Sequence, residues 1–258
     1  MGCTSSKDTD AQPPRRPIQI GAPQDVTIHI PRNRLQPNGA PMRILTVEIP
    51  RDVLVRALSM TASYIKDRGR DLTAIAVGGA VNTIFLRTRL STHDVDVFGT
   101  NLGPQDRILL DEAVHYTLLH IGEPISTEWF NTETSLHMSP RMHNELTDLA
   151  FEKNIVIFKQ PGLTVLAAPW NYAFGAKVDR LLKVMAEDLR RPYDLQDAIV
   201  YLDQMVTANS GRPIAIERFF ETAQRYHQNT TEAYLMNTVN HRYQQSFHRQ
   251  GIASSRSR

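Results

Sequence analysis

The stretch Val77-Gly-Gly-Ala-Val-Asn-Thr-Ile-Phe-Leu-Arg-Thr-Arg-Leu-Ser-Thr-His-Asp-Val-Asp-Val-Phe-Gly99 decides the reading of this chain. Before it, Leu72 to Val77 (LTAIAV) is a short apolar run of strand length. Gly78 and Gly79 end that run, and Ala80 to Leu90 reads as a helix with Val81, Ile84 and Phe85 on one side. A strand that stops at two glycines lets a phosphate approach the backbone closely, although a glycine pair is also the commonest way to make a plain turn. The chain then returns through Asp94-Val95-Asp96-Val97-Phe98, which alternates as a strand does. Residues two apart on a strand share a face, so Asp94 and Asp96 project together while Val95 and Val97 turn to the core. Such a pair is either a solvated face or a cation site, because adjacent carboxylates repel unless a cation joins them. Mg²⁺ is the expected cation, since it takes carboxylate oxygens and phosphates together.

Outward from this centre the pattern is mixed. Residues 1–24 carry Pro, Ser and Asp without hydrophobic periodicity and are expected to be disordered. Asp25 to Ile30 and Ile44 to Ile49 read as possible strands, and residues 53–65 as a helix stopped by Gly69. A helix is expected from about Gln105 to Leu119, an irregular segment with a possible strand at its start from Glu123 to Met138, and a short helix from Arg141 to Phe151. Ile155 to Phe158 and Leu163 to Leu166 read as two strands about the Pro161-Gly162 turn. From Pro169 onward the period is helical, over Trp170–Leu189, Pro192–Val206, Pro213–Tyr226 and Thr231–Phe247, before a basic end, residues 249–258, expected to be disordered. Strands mixed with helices, followed by helices alone, predict an α+β fold: a mixed sheet with flanking helices over 25–168 and a helical portion over 169–248.

The segment Val77 to Gly99 resembles the first motif of the nucleotidyltransferase superfamily, in which a Gly-Gly or Gly-Ser turn precedes an Asp-x-Asp strand. The nearest likeness is to the AbiEii-type toxin branch and related fungal nucleotidyltransferase-like proteins. Arg87, Arg89, Ser91 and Thr92 fit the polar approach to the Asp pair in that branch, and His93 departs from it. The branch also carries a lysine on a helix after the sheet, matched by Lys177 in WNYAFGAKVDRL, and an acidic segment, matched by Arg191-Pro-Tyr-Asp194-Leu-Gln-Asp197. The resemblance spans about Leu72 to Leu202. It implies a Mg²⁺-dependent transfer of NMP from an NTP to an unknown acceptor. Asp94 and Asp96 are then the metal ligands, and Gly78, Gly79, Arg89 and Lys177 bind the nucleotide. Asp194 is a third acid or holds Lys177 in place. Many members place another carboxylate on a later strand, but Leu163 to Leu166 has none. An inactive nucleotide-binding or scaffold protein of the same fold is therefore the alternative.

The bulk numbers bound these readings. The chain has 258 residues, 41% hydrophobic and 22% charged, enough to build a core without staples. A formal charge of +2 gives no global signal for nucleic acid, and no aromatic-plus-basic stripe adds one. No apolar run approaches a membrane span, and no secretory signal follows Met1. The one cysteine excludes an internal disulfide. His137 and His143, six apart, do not have zinc-ligand spacing, and no Gly-x-Ser-x-Gly element appears. Met-Gly-Cys-Thr-Ser-Ser-Lys at the start fits N-myristoylation at Gly2, with Cys3 as a palmitoylation site. Two acyl chains anchor where one holds only marginally, so the expected location is the cytoplasmic face of a membrane. Trp129 and Trp170 are expected in the core or at a helix start.

Overall fold

The structure is a computed structural model; it describes Gly39 and residues 45–98, 102–187 and 193–254. Gly2, Cys3 and the Asp25 to Ile30 segment lie outside the described residues. The chain runs β1 (Ile49–Pro50), α1 (Arg51–Lys66), β2 (Leu72–Val77), α2 (Gly79–Val81), β3 (Ser91–Thr92), β4 (Val95–Phe98), α3 (Pro104–His120), β5 (Phe130–Asn131) and α4 (Pro140–Lys153). It continues through β6 (Val156–Gln160), β7 (Leu163–Ala167), α5 (Trp170–Glu187), α6 (Asp194–Ala208), β8 (Ile214–Ala215), α7 (Ile216–Arg225), α8 (Glu232–Tyr234), α9 (His241–Phe247) and β9 (Ile252–Ala253).

Five strands form one mixed sheet in the order β5-β4-β2-β7-β6. The central strand β2 is antiparallel to β4 and parallel to β7. Alternation assigns its two faces. Leu72, Ala74 and Ala76 of β2, with Val95 and Val97 of β4, belong to the core that holds Leu54, Leu58 and Ile65 of α1 and Leu110 of α3. Ile75, Phe98 and Leu166 look the other way, against Met142, Leu146 and Ala150 of α4 and Tyr172 of α5. Helices on both faces of a mixed sheet, then a mainly helical portion that also holds the β8-β9 pair, make this an α+β protein. The main core continues without a break into Ile199, Tyr201 and Leu202 of α6 and Tyr243 of α9. Trp129 is fully buried, and Trp170 opens α5.

Several segments differ from the sequence expectation. The helix expected over Ala80 to Leu90 is one α turn followed by a π turn over Asn82–Leu86, closed by Arg87 at a φ of 56°. The cause is Asn82, whose side chain donates to the Gly78 carbonyl at 3.2 Å and to Tyr201 Oη at 2.8 Å. Those bonds pull the chain off a regular α path. The segment Glu123 to Met138 contains β5, which pairs in parallel with β4. At the other end Ile252 and Ala253 form β9 beside β8, because Asn240 Oδ1 accepts from the backbone of Gly251 and Ile252, each at 3.0 Å.

The buried phenols set an alkaline limit on stability. Burial raises Tyr172 and Tyr243 to about 12 and raises Tyr201 and Tyr226 as well. An unfolded tyrosine ionises near 10. A raised acid contributes stability that is complete below that value and is lost as pH climbs through the folded one. A pH titration followed by phenolate absorbance and circular dichroism will therefore show Tyr172, Tyr201, Tyr226 and Tyr243 ionising only together with unfolding, above about pH 10. Complete ionisation near pH 10 with the dichroism intact would contradict these burials.

Candidate functional site

Gly78 follows the last residue of β2 with φ 73° and ψ −140°, a conformation that side chains on Cα disfavour. Its carbonyl is held on two sides, by Asn82 and by Tyr201 Oη at 3.1 Å. Tyr201 lies on α6, so the bend is tied to the helical half of the protein. Gly79 has no room for a side chain: a Cβ there would meet Thr92 Oγ1 at 2.2 Å.

The Asp96 carboxylate comes to this bend from β4. Asp96 pairs in register with Val77, the residue before Gly78. A Cβ on Gly78 would stand 3.6 Å from Asp96 Oδ2, so the carboxylate rests against the bend. Asp94 and Asp96 are half-buried, and Asp96 alternates with the fully buried Val95 and Val97 of β4, which gives it the face away from the main core. Asp94 precedes the strand proper, and its carbonyl accepts from Thr92 Oγ1 at 3.3 Å. On the other side of β4, the residue in register with Asp96 is Asn131 of β5.

Positive charge enters from α5 and from the β3 approach. Lys177 is 3% exposed, and its ammonium sits 2.8 Å from Asp194 and 2.7 Å from Asp197. Both acids are buried on the first turn of α6. Lys177 is thus a counter-ion of two buried acids, Asp194 and Asp197. Arg180 Nε lies 3.8 Å from Asp194 Oδ2, an oxygen with no hydrogen bond among the described residues. Asp197 was not among the expected site residues, yet it connects the cluster. It accepts from Arg89 Nε at 2.9 Å and from Arg89 Nη2 while also pairing with Lys177. Its three-residue spacing from Asp194 was the available sequence signal; the Arg89 partner, 108 residues away, gave none. Arg89 Nη1 lies 3.4 Å from where a Cβ of Gly79 would be, so the guanidinium joins this cluster to the bend.

Residues 52–250 match a family described as a domain of unknown function, DUF7582, a span that encloses the bend, the acids and the cluster. The chain belongs to the DUF7582 family. No curated protein and no solved structure matches it. Within the DUF7582 domain, no group of three or more His, Cys, Asp or Glu side chains is placed to hold a metal ion among the described residues. Asp94 and Asp96 remain a pair of hard oxygen donors. That set suits one Mg²⁺, which commonly takes one or two carboxylates and completes its shell with water and phosphate. Among the described residues, no helix is long and apolar enough to cross a membrane.

Proposed function

We propose that the DUF7582 domain binds a magnesium nucleoside triphosphate at the Gly78-Gly79 bend, in the manner of the nucleotidyltransferase superfamily. Asp94 and Asp96 would hold the Mg²⁺, and Arg89 would meet the phosphates. The observation that carries this reading is one bend with opposite charges on its two glycines. Asp96 Oδ2 lies against Gly78, and the Arg89 guanidinium lies against Gly79. A Mg²⁺-bound polyphosphate has matching parts, a cation beside its anionic oxygens. Bound there, Mg²⁺ supplies charge neutralisation and polarises the phosphate oxygens.

Transfer of NMP to an acceptor is the activity this superfamily resemblance implies. A second reading, binding without transfer, is favoured by Asn131 standing in register with Asp96 where a further carboxylate would complete the charge. Calorimetric titration with Mg²⁺ and each NTP tests binding, and transfer of label from the α-phosphate separates the two readings. Wild-type protein should bind, and Asp94→Ala/Asp96→Ala should lose at least about tenfold in affinity, the scale of one charge-assisted interaction. No binding by the wild type ends the nucleotide reading.

Acylation at Gly2, with Cys3 as the second chain, would place this domain on a membrane surface. Gly2→Ala should move the protein from the membrane to the soluble fraction. An unchanged distribution rules the acyl anchor out.

A further inference from the structure

Two neighbouring side chains in the Arg87–Leu90 loop point the wrong way for their chemistry. Leu90, an aliphatic residue, is 92% exposed. Arg89, a cation, turns inward and leaves only 14% of its side chain in contact with solvent. A buried charge needs compensation, and Asp197 supplies it through Nε and Nη2. Asp197, however, already has a counter-ion. Among the described residues the cluster sets three cations, Arg89, Lys177 and Arg180, against the two acids Asp194 and Asp197. Of the three cations, Arg89 is the one whose guanidinium reaches the bend, at Gly79.

The orientation of the Arg89 guanidinium is fixed from two directions. Asp197 grips one edge of the guanidinium, and the Tyr193 ring covers it with Cζ 4.6 Å from the ring centroid. The nitrogen that Asp197 does not use is Nη1, the one lying against Gly79. Nη1 makes no hydrogen bond among the described residues.

We infer that Nη1 of Arg89 receives a phosphate oxygen of the bound triphosphate and that Asp197 is a positioning residue acting through Arg89. This rests on the nucleotide reading above and adds to it the group that recognises the phosphate chain. Asp197 spends its binding capacity on the Nε/Nη2 edge, so the anion is met by a guanidinium already turned and desolvated. Arg is suited to this division of labour because its donors are rigidly forked; a lysine at position 89 would keep the charge and lose the second edge.

The test is a set of affinities for MgATP, for adenosine and for Mg²⁺ alone, measured by calorimetry on the full chain. Arg89→Lys and Asp197→Asn should each weaken MgATP by about 10- to 100-fold, the loss expected of one charge-assisted contact. Both should leave adenosine and Mg²⁺ unchanged. Adding Asp197→Asn to Arg89→Lys should cause no further loss, and Asp197→Glu should recover part of the affinity. A merely structural acid would instead lower all three affinities or add its effect to that of Arg89→Lys, and either result overturns the inference. Lys177 keeps Asp194 as a partner in Asp197→Asn. If that variant nevertheless fails to fold, Tyr193→Leu at an exposed site serves in its place, with a loss for MgATP alone of about threefold. Wild type that does not bind MgATP removes both this inference and the nucleotide reading. Wild type that binds, with Arg89→Lys indistinguishable from it, removes this inference only.

Discussion

Lys177→Met will destabilise the DUF7582 domain by about 3–5 kcal/mol, the cost of leaving a buried ion pair with one partner removed. Lys177 sits within 2.8 Å of Asp194 and 2.7 Å of Asp197, and all three are almost fully buried. Methionine has nearly the same length and fills the space, so the loss is of charge. After the change Asp197 retains Arg89, but Asp194 retains only Arg180, at 3.8 Å. Asp194 then becomes the uncompensated charge. The expectation follows that Lys177→Met/Asp194→Asn recovers much of the lost stability, because the second change removes the stranded acid. Denaturant melts of the two variants check this. A single variant within about 1 kcal/mol of wild type would mean that the cluster is hydrated and weak, as exposed pairs are.

Gly79→Ala is the second large effect. The new methyl would come within 2.2 Å of Thr92 Oγ1 and 3.1 Å of Thr92 Cβ. Thr92 is buried, and a β-branched side chain has few rotamers to escape into. Overpacking of this kind costs about 1–3 kcal/mol. The strain falls on β3 and the segment leading to Asp94, so nucleotide affinity should fall along with stability. Gly79→Ala/Thr92→Ala removes the clashing oxygen and should restore most of the stability. If Gly79→Ala alone melts like wild type and binds MgATP as well, the bend is looser than its contacts indicate.

The parts of the fold that were legible in the sequence rest on local pattern. Leu72 to Val77 is an apolar run bounded by glycine, and Val95 and Val97 alternate with acids, so β2, the bend and β4 announce themselves. The parts that were not legible depend on distant partners. Asn82 makes the π turn through Tyr201, 119 residues on. The two-residue strand β5 exists because β4 lies beside it, and no periodicity can show in two residues. Asp197 and Arg89 meet across 108 residues. The Lys177–Asp194 pairing was half visible, since the acidic segment suggested a holder for the lysine; what tertiary packing added was that the lysine is enclosed. Burial decides whether a cation serves as a ligand-facing group or a counter-ion, and burial is set by how α5 and α6 close on one another.

The claim on which the account turns is that metal and triphosphate meet at one diglycine bend. Amide resonances in the presence of ATP and sub-stoichiometric Mn²⁺, a paramagnetic substitute for Mg²⁺, test it most directly. Selective broadening of Gly78, Gly79 and the Asp94–Asp96 segment is expected in wild type, and its disappearance in Asp94→Asn/Asp96→Asn. Broadening centred on another part of the surface, or the same broadening in the double variant, would contradict it.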